Sequence, residues 1–131
     1  MKYYVDDELC CIVHKAKDWN HGLDFITPDE EFIQVGTWWY ESGKELDRHY
    51  HNRVSREADL TQETVIVLQG SVEVALYDLK NVLTKTFELK GGDFAVFLRG
   101  GHGYTVREDD TRIVEVKNGP FLGVNIDKTR F

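Results

Sequence analysis

Short runs of β-branched and aromatic residues, each bounded by polar or glycine-containing turns, recur along most of this 131-residue chain. In the run SVEVALYD, the residues Val72, Val74 and Leu76 share one face, as in a half-buried strand. The run VLTKTFEL follows after a short turn and predicts the second arm of a hairpin. About nine or ten such strands, spaced by about 8–12 residues, predict an all-β sandwich or barrel.

The length and composition are typical of one globular domain. A chain of 131 residues with 41% hydrophobic residues can bury a core without disulfides or a structural metal. We therefore predict a single domain over residues 1–131, with an N-terminal strand extension over about 1–30 and a barrel core over about 32–126. The only two cysteines, Cys10 and Cys11, are adjacent, and we expect them to be reduced thiols in an early strand.

The charge balance narrows the class of partner. The formal net charge of −7 argues against nucleic acid and against an anionic membrane surface, which both favour a basic protein. No apolar stretch approaches the roughly 18 residues that span a bilayer, and the first residues lack the apolar core of a signal peptide. We therefore expect a cytoplasmic protein with no nucleic-acid or membrane partner.

One stretch, DRHYHNRVSREADLTQETVIVLQG, holds the residue types that most suggest a site. On a strand, His49 and His51 would project from the same face, and two neighbouring imidazoles suit a divalent ion of iron, nickel, manganese or zinc. Glu63 begins the next apolar run and is a candidate third ligand, while His102, among glycines in RGGHGY, is a fourth. Because both faces of that run are apolar, periodicity leaves open whether Glu63 or Gln62 faces the metal.

These residues resemble the motifs of the cupin family. The first cupin motif has a glycine, five residues, His-x-His, a short gap, a glutamate, six residues and a second glycine. Here Gly43 precedes KELDR and HYH, and Glu63 precedes TVIVLQ and Gly70. The gap between His51 and Glu63 is eleven residues, whereas the family usually has about three or four. The second motif is matched by the glycines and the histidine of GGDFAVFLRGGHGY, which lacks the usual proline.

The resemblance implies a fold and a metal centre. The fold would be the cupin-type double-stranded β-helix, or jelly-roll barrel, and His49, His51, Glu63 and His102 would together hold one divalent metal ion (Fe, Mn, Ni or Zn). The chain is similar to small bacterial cupins of surface-sugar pathways that end in a stretch like VEVKNGPFLG. As in many cupins, a homodimer is expected.

An open metal site of this kind predicts proton-transfer chemistry. The metal would polarise a carbonyl or chelate neighbouring substrate oxygens, and Glu63, if it does not bind the metal, or Tyr104 would act as the base. We expect a metal-dependent isomerase or epimerase of an anionic sugar-type substrate. The alternatives are a non-haem metal-dependent dioxygenase and a non-enzymatic cupin that binds a small molecule.

Three arginines around the histidine pair predict that the ligand is a small anion. Arg48, Arg53 and Arg56 carry the planar guanidinium group that recognises phosphate or carboxylate, although the same residues could instead pair with acidic neighbours on a solvated loop. Trp38 lies in an aromatic strand and could wall the pocket or belong to the core.

Overall fold

The computed structural model describes residues 1–131 and consists mainly of antiparallel β-strands, which confirms the all-β class. The strands are β1 (Lys2–Val5), β2 (Glu8–His14), β3 (Gly22–Phe25), β4 (Gly36–Trp39), β5 (Glu63–Gln69), β6 (Ser71–Tyr77), β7 (Leu83–Lys90), β8 (Phe94–Phe97), β9 (Gly101–Val106) and β10 (Arg112–Lys117). The only helical segments are a 3-10 turn at Ala16–Asp18 and α1 (Val124–Asp127). Neither could span a bilayer.

The aromatic run at 32–41 forms a shorter strand than its composition predicts. Only Gly36–Trp39 is a strand, because the residues before it make other hydrogen bonds. The backbone N–H of Ile33 donates to the Gln62 side chain at 2.9 Å, and that of Val35 donates to the Thr27 hydroxyl at 3.0 Å. These side-chain acceptors take the place of a strand partner.

The strands form three sheets, in the orders β1-β2-β8-β5-β10, β7-β6-β9 and β3-β4. The stretch expected as an N-terminal extension contributes β2 to the interior of the five-stranded sheet, where Cys11 pairs with Phe97. As expected, Cys10 and Cys11 are free thiols in this early strand. Burial raises the pKa of the Cys11 thiol to about 12.

The five-stranded and three-stranded sheets face each other across the larger of two apolar cores. Val65 and Val67 of β5 pack there with Val74 of β6, as the alternation of SVEVALYD predicts. The other members of this core are Cys11, Val13, Val72, Leu76, Leu89, Ala95 and Phe97. Intervening residues such as Phe94 and Val96 enter a second core on the opposite face of the five-stranded sheet. Both faces of the five-stranded sheet are therefore covered. This explains why its central strands have apolar side chains on both faces.

The chain passes from the five-stranded to the three-stranded sheet at Gly70, between β5 and β6. Its φ of +75° is one that side-chain-bearing residues rarely adopt. A Cβ at this position would lie 2.3 Å from the Thr111 hydroxyl oxygen and 2.8 Å from the Thr111 Cα. Only glycine fits at this crossover. Beyond it, the inner face of β6 lies opposite the inner face of β5 across the larger core.

Candidate functional site

A cleft of about 750 Å³ lies between the two facing sheets, at the end where β5 begins. Its volume is typical of small-molecule sites. The cleft is lined by Leu60, Thr61, Glu63, Tyr77, Gly100, Gly101, His102, Gly103, Tyr104, Glu115, Lys117, Asp127, Lys128, Thr129, Arg130 and Phe131. The polar side chains thus come from both sheets and from the segment that follows α1.

The strand register places Glu63 and Lys117 on the same face. Glu63 lies two and four residues before Val65 and Val67, so it shares their inward direction. In the antiparallel pair of β5 and β10, Lys117 is directly opposite Glu63, and Glu115 is directly opposite Val65. Because directly paired residues project from the same face of a sheet, β10 adds an ammonium and a second carboxylate beside Glu63.

The opposite sheet supplies an imidazole and a phenol by the same rule. In the pair of β6 and β9, Val74 is opposite Tyr104 and Leu76 is opposite His102. Val74 and Leu76 are buried in the larger core, so His102 and Tyr104 also point between the sheets. The side chains of β9 therefore meet Glu63 across the gap between the two sheets.

Glu63 is the centre of this cluster. The Tyr104 hydroxyl donates to Glu63 Oε1 at 2.6 Å, and His102 Nε2 lies 3.4 Å from the same oxygen. Lys117 Nζ lies 3.2 Å from Glu63 Oε2. Burial of Glu63, which is 4% exposed, favours the neutral acid, but the hydrogen bonds and positive charge of these neighbours outweigh it and lower the pKa of Glu63 to about 2. Glu63 is therefore a carboxylate at neutral pH.

Two of the side chains that contact Glu63, Tyr104 and Lys117, are held in their protonated forms. Desolvation and the hydrogen bond to Glu63 raise the pKa of Tyr104 well above its ordinary value of 10. The contact with Glu115, together with that to Glu63, raises the pKa of Lys117. Tyr104 is therefore better placed to donate a proton than to accept one, unlike the base that the sequence suggested.

Phe97 fixes the orientation of the imidazole. The ring of His102 stacks on Phe97 with centroids 4.3 Å apart and planes inclined by 25°. The Phe97 ring also meets Tyr104 edge-on, with centroids 5.8 Å apart. The apolar core thus extends to the site and supports both side chains that β9 contributes.

Glu63, and not Gln62, faces the cleft. Gln62 points to the other side of the sheet, where its side-chain oxygen accepts from the Ile33 N–H. Its side-chain nitrogen donates to Glu31 Oε2 at 2.6 Å and to the Leu98 carbonyl at 3.4 Å. Gln62 thus holds the segment before β4 against the five-stranded sheet.

The structure separates the four predicted metal ligands into two pairs. Glu63 and His102 lie in the cleft, whereas His49 and His51 lie in the segment 40–62, which has neither strand nor helix. Their rings are exposed with centroids 5.3 Å apart, and His49 Nδ1 lies 2.9 Å from the Asp47 carbonyl. No group of three or more His, Cys, Asp or Glu side chains is arranged to hold a metal ion. The four-ligand centre that the resemblance implies therefore remains a prediction.

The predicted substrate-binding residues also lie outside the cleft. Arg48, Arg53 and Arg56 are exposed on the same irregular segment. Trp38 is 60% exposed on β4, opposite Leu23 of β3. The sequence cluster of arginines therefore does not form part of the pocket wall.

Three other cations line the cleft, and sequence reasoning missed all of them. The position of Lys117 in the cleft can be inferred only from the register of β5 and β10, which places it opposite Glu63. Lys128 and Arg130 lie after α1, where no periodicity indicates a direction. These positions follow from the tertiary fold and have no local signal.

The cleft thus combines an ionised carboxylate with an imidazole, a phenol and an ammonium, which together can move a proton and stabilise developing charge. No family model, curated protein or solved structure matches the chain, so this geometry is what bears on its function.

Proposed function

We propose that the protein is an isomerase or epimerase that moves a proton within an anionic sugar-type substrate bound in the cleft. The proposal rests on the surroundings of Glu63. Its buried carboxylate is contacted by an imidazole, a phenol and an ammonium, and it lies beside an open cavity. A strongly perturbed carboxyl group in a cleft of this size is typical of a catalytic site.

His102 is the proton-transfer group in this proposal, since imidazole is the side chain best suited to exchange protons near neutral pH. It takes a proton from a substrate carbon next to a carbonyl, and the electron pair of the C–H bond moves onto the carbonyl oxygen as an enolate. The Glu63 carboxylate, 3.4 Å from His102 Nε2, stabilises the imidazolium. The ammonium of Lys117 is the donor available to the enolate oxygen, because the single hydroxyl proton of Tyr104 is already donated to Glu63. Return of the proton from His102 to the neighbouring carbon gives an isomer, and protonation of the original carbon from the opposite face by a second donor, for which Lys117 is available, gives an epimer.

Deuterium exchange tests the reaction class without knowledge of the product. The protein is incubated in D2O with sugar phosphates, nucleotide sugars and sugar acids, and each compound is analysed by mass spectrometry and NMR. We expect deuterium at one substrate carbon, at the same rate with and without oxygen. His102→Gln is expected to stop the exchange, whereas the same change at His21, an exposed histidine paired with Glu41, leaves it intact. Oxygen uptake coupled to turnover would instead identify a dioxygenase, and binding without exchange a non-enzymatic module.

The metal ion predicted from the sequence is tested separately. The proton transfer by His102 does not depend on it. If the four-ligand prediction is correct, protein purified without chelator contains about one divalent ion per chain. His49→Ala should then remove most of that ion while the circular dichroism of the sheets stays unchanged, because His49 is exposed and outside the strands. Elemental analysis measures the ion, and His21→Ala is the control. Full metal content in His49→Ala would contradict the ligand set.

A further inference from the structure

The last residue of α1 and the residues after it form one wall of the cleft. Asp127, Lys128, Thr129, Arg130 and Phe131 all line it, although they belong to neither sheet. This wall stands beside Glu63 and His102, so a ligand that reaches these two side chains also meets this segment.

Contacts at both ends fix this wall against the sheets. At one end, the Thr61 hydroxyl donates to the Asp127 carboxylate, which ties the segment to the residues just before β5. At the other, Phe131 meets the Tyr77 ring edge-on with centroids 5.2 Å apart. Phe131 also fills the space above Gly101, where a Cβ would come within 2.8 Å of its ring. The residues between these two anchors are therefore held over the cleft.

The two cations on this wall differ from Lys117 in forming no ion pair. Lys117 is neutralised by Glu63 and Glu115. Lys128 and Arg130 line the same cleft, are exposed and take part in no ion pair. The cleft thus presents two cations that form no ion pair, beside a cluster in which the one ammonium is already paired with two carboxylates.

We infer that Lys128 and Arg130 bind the anionic group of the ligand, a phosphate or a carboxylate, and so hold its neutral part against His102. Arginine offers a planar pair of donors that matches either oxyanion, and lysine adds a point charge. The inference rests on the proposed function for the identity of the site and adds to it the residues that select an anionic substrate. Lys128 and Arg130 thus take the anion-binding role that the sequence suggested for Arg48, Arg53 and Arg56. None of those three arginines lines the cleft.

Binding of inorganic pyrophosphate tests the assignment by isothermal titration calorimetry at low ionic strength. The double variant Lys128→Ala/Arg130→Ala is expected to weaken binding by about tenfold or more, as the loss of charge-assisted hydrogen bonds implies. The triple variant Arg48→Ala/Arg53→Ala/Arg56→Ala removes more positive charge, yet it is expected to change the dissociation constant by less than about twofold. Lys128→Arg/Arg130→Lys keeps both charges and is expected to retain most of the affinity. All of these side chains are exposed, so folding is unaffected, which circular dichroism checks.

Three results would overturn the inference: no binding to the unmodified protein, equal weakening by the double and triple variants, or weakening by the triple variant alone. The deuterium-exchange experiment separates this failure from failure of the proposed function. Exchange into any compound of that panel without pyrophosphate binding would leave the isomerase in place and remove the anion site. Pyrophosphate binding that depends on Lys128 and Arg130, without any exchange, would keep the anion site and remove the isomerase.

Discussion

Glu63→Gln is expected to slow deuterium exchange into the substrate by about 10³-fold or more, the scale of removing the carboxylate that supports a proton-transferring imidazole. Glutamine keeps the size of the side chain and can still accept from Tyr104, but it has no charge to stabilise an imidazolium at His102. The rate is measured by mass spectrometry under the conditions used for the unmodified protein. Glu73→Gln is the matched control, because Glu73 forms a surface ion pair with Arg107. Exchange within about tenfold of the unmodified rate would contradict the role of Glu63.

The same substitution is expected to change how stability depends on pH. The pKa of Glu63 is lowered from 4.5 to about 2 in the folded protein, so its contribution to stability is fully present above about pH 4.5 and is lost as the pH falls toward 2. This lowering corresponds to about 3 kcal/mol. Urea denaturation at pH 7 and pH 3 should show a smaller loss of stability on acidification for Glu63→Gln than for the unmodified protein. An identical loss in both would show that Glu63 is not held as a buried carboxylate.

Phe97→Ala is expected to cause the largest loss of stability, about 3–5 kcal/mol. Phe97 is 3% exposed, belongs to the larger core and lies directly opposite Glu63 in the pairing of β5 and β8. The substitution leaves a cavity and also removes the surface on which His102 stacks. Catalysis should therefore fall even in the fraction of molecules that remains folded.

Chemical denaturation measures this effect, with two variants for comparison. Phe97→Leu keeps most of the volume and is expected to lose less than half as much stability. Phe25→Ala makes the same change at a residue that is 65% exposed and is expected to alter stability by about 0.5 kcal/mol or less. A loss below about 1 kcal/mol in Phe97→Ala would contradict its place in the core.

The strands from Glu63 onward were predictable because alternation and turn residues mark them locally, as in SVEVALYD. The face of Glu63 was not predictable, because its strand is covered on both sides and carries apolar residues on both. His102, which the sequence places among glycines, lies within β9, since pairing with β6 overrides the weak strand preference of its glycine neighbours.

Several residues of the candidate site could be identified from the sequence, but their arrangement in space could not. Glu63, His102 and Tyr104 were identified from their chemistry, and the structure brings them together. The histidine pair was assigned to a strand because two-residue spacing suits one, but the long polar segment around it makes no strand hydrogen bonds. The jelly-roll assignment and the metal remain predictions, since sequence spacing cannot show how distant segments approach one another.

The order of strands in the five-stranded sheet has a consequence for how the chain folds. The β6–β7 hairpin joins neighbouring segments, so only a short loop must close before its pairs form. β2 already pairs with β1, but β5 pairs only with β8 and β10, so β5 has no partner strand in its sheet until the last third of the chain has been made. Such distant pairings fold slowly. The hairpin can act as a nucleus, while the cleft, whose walls come from β5, β9 and β10, is among the last features to be assembled.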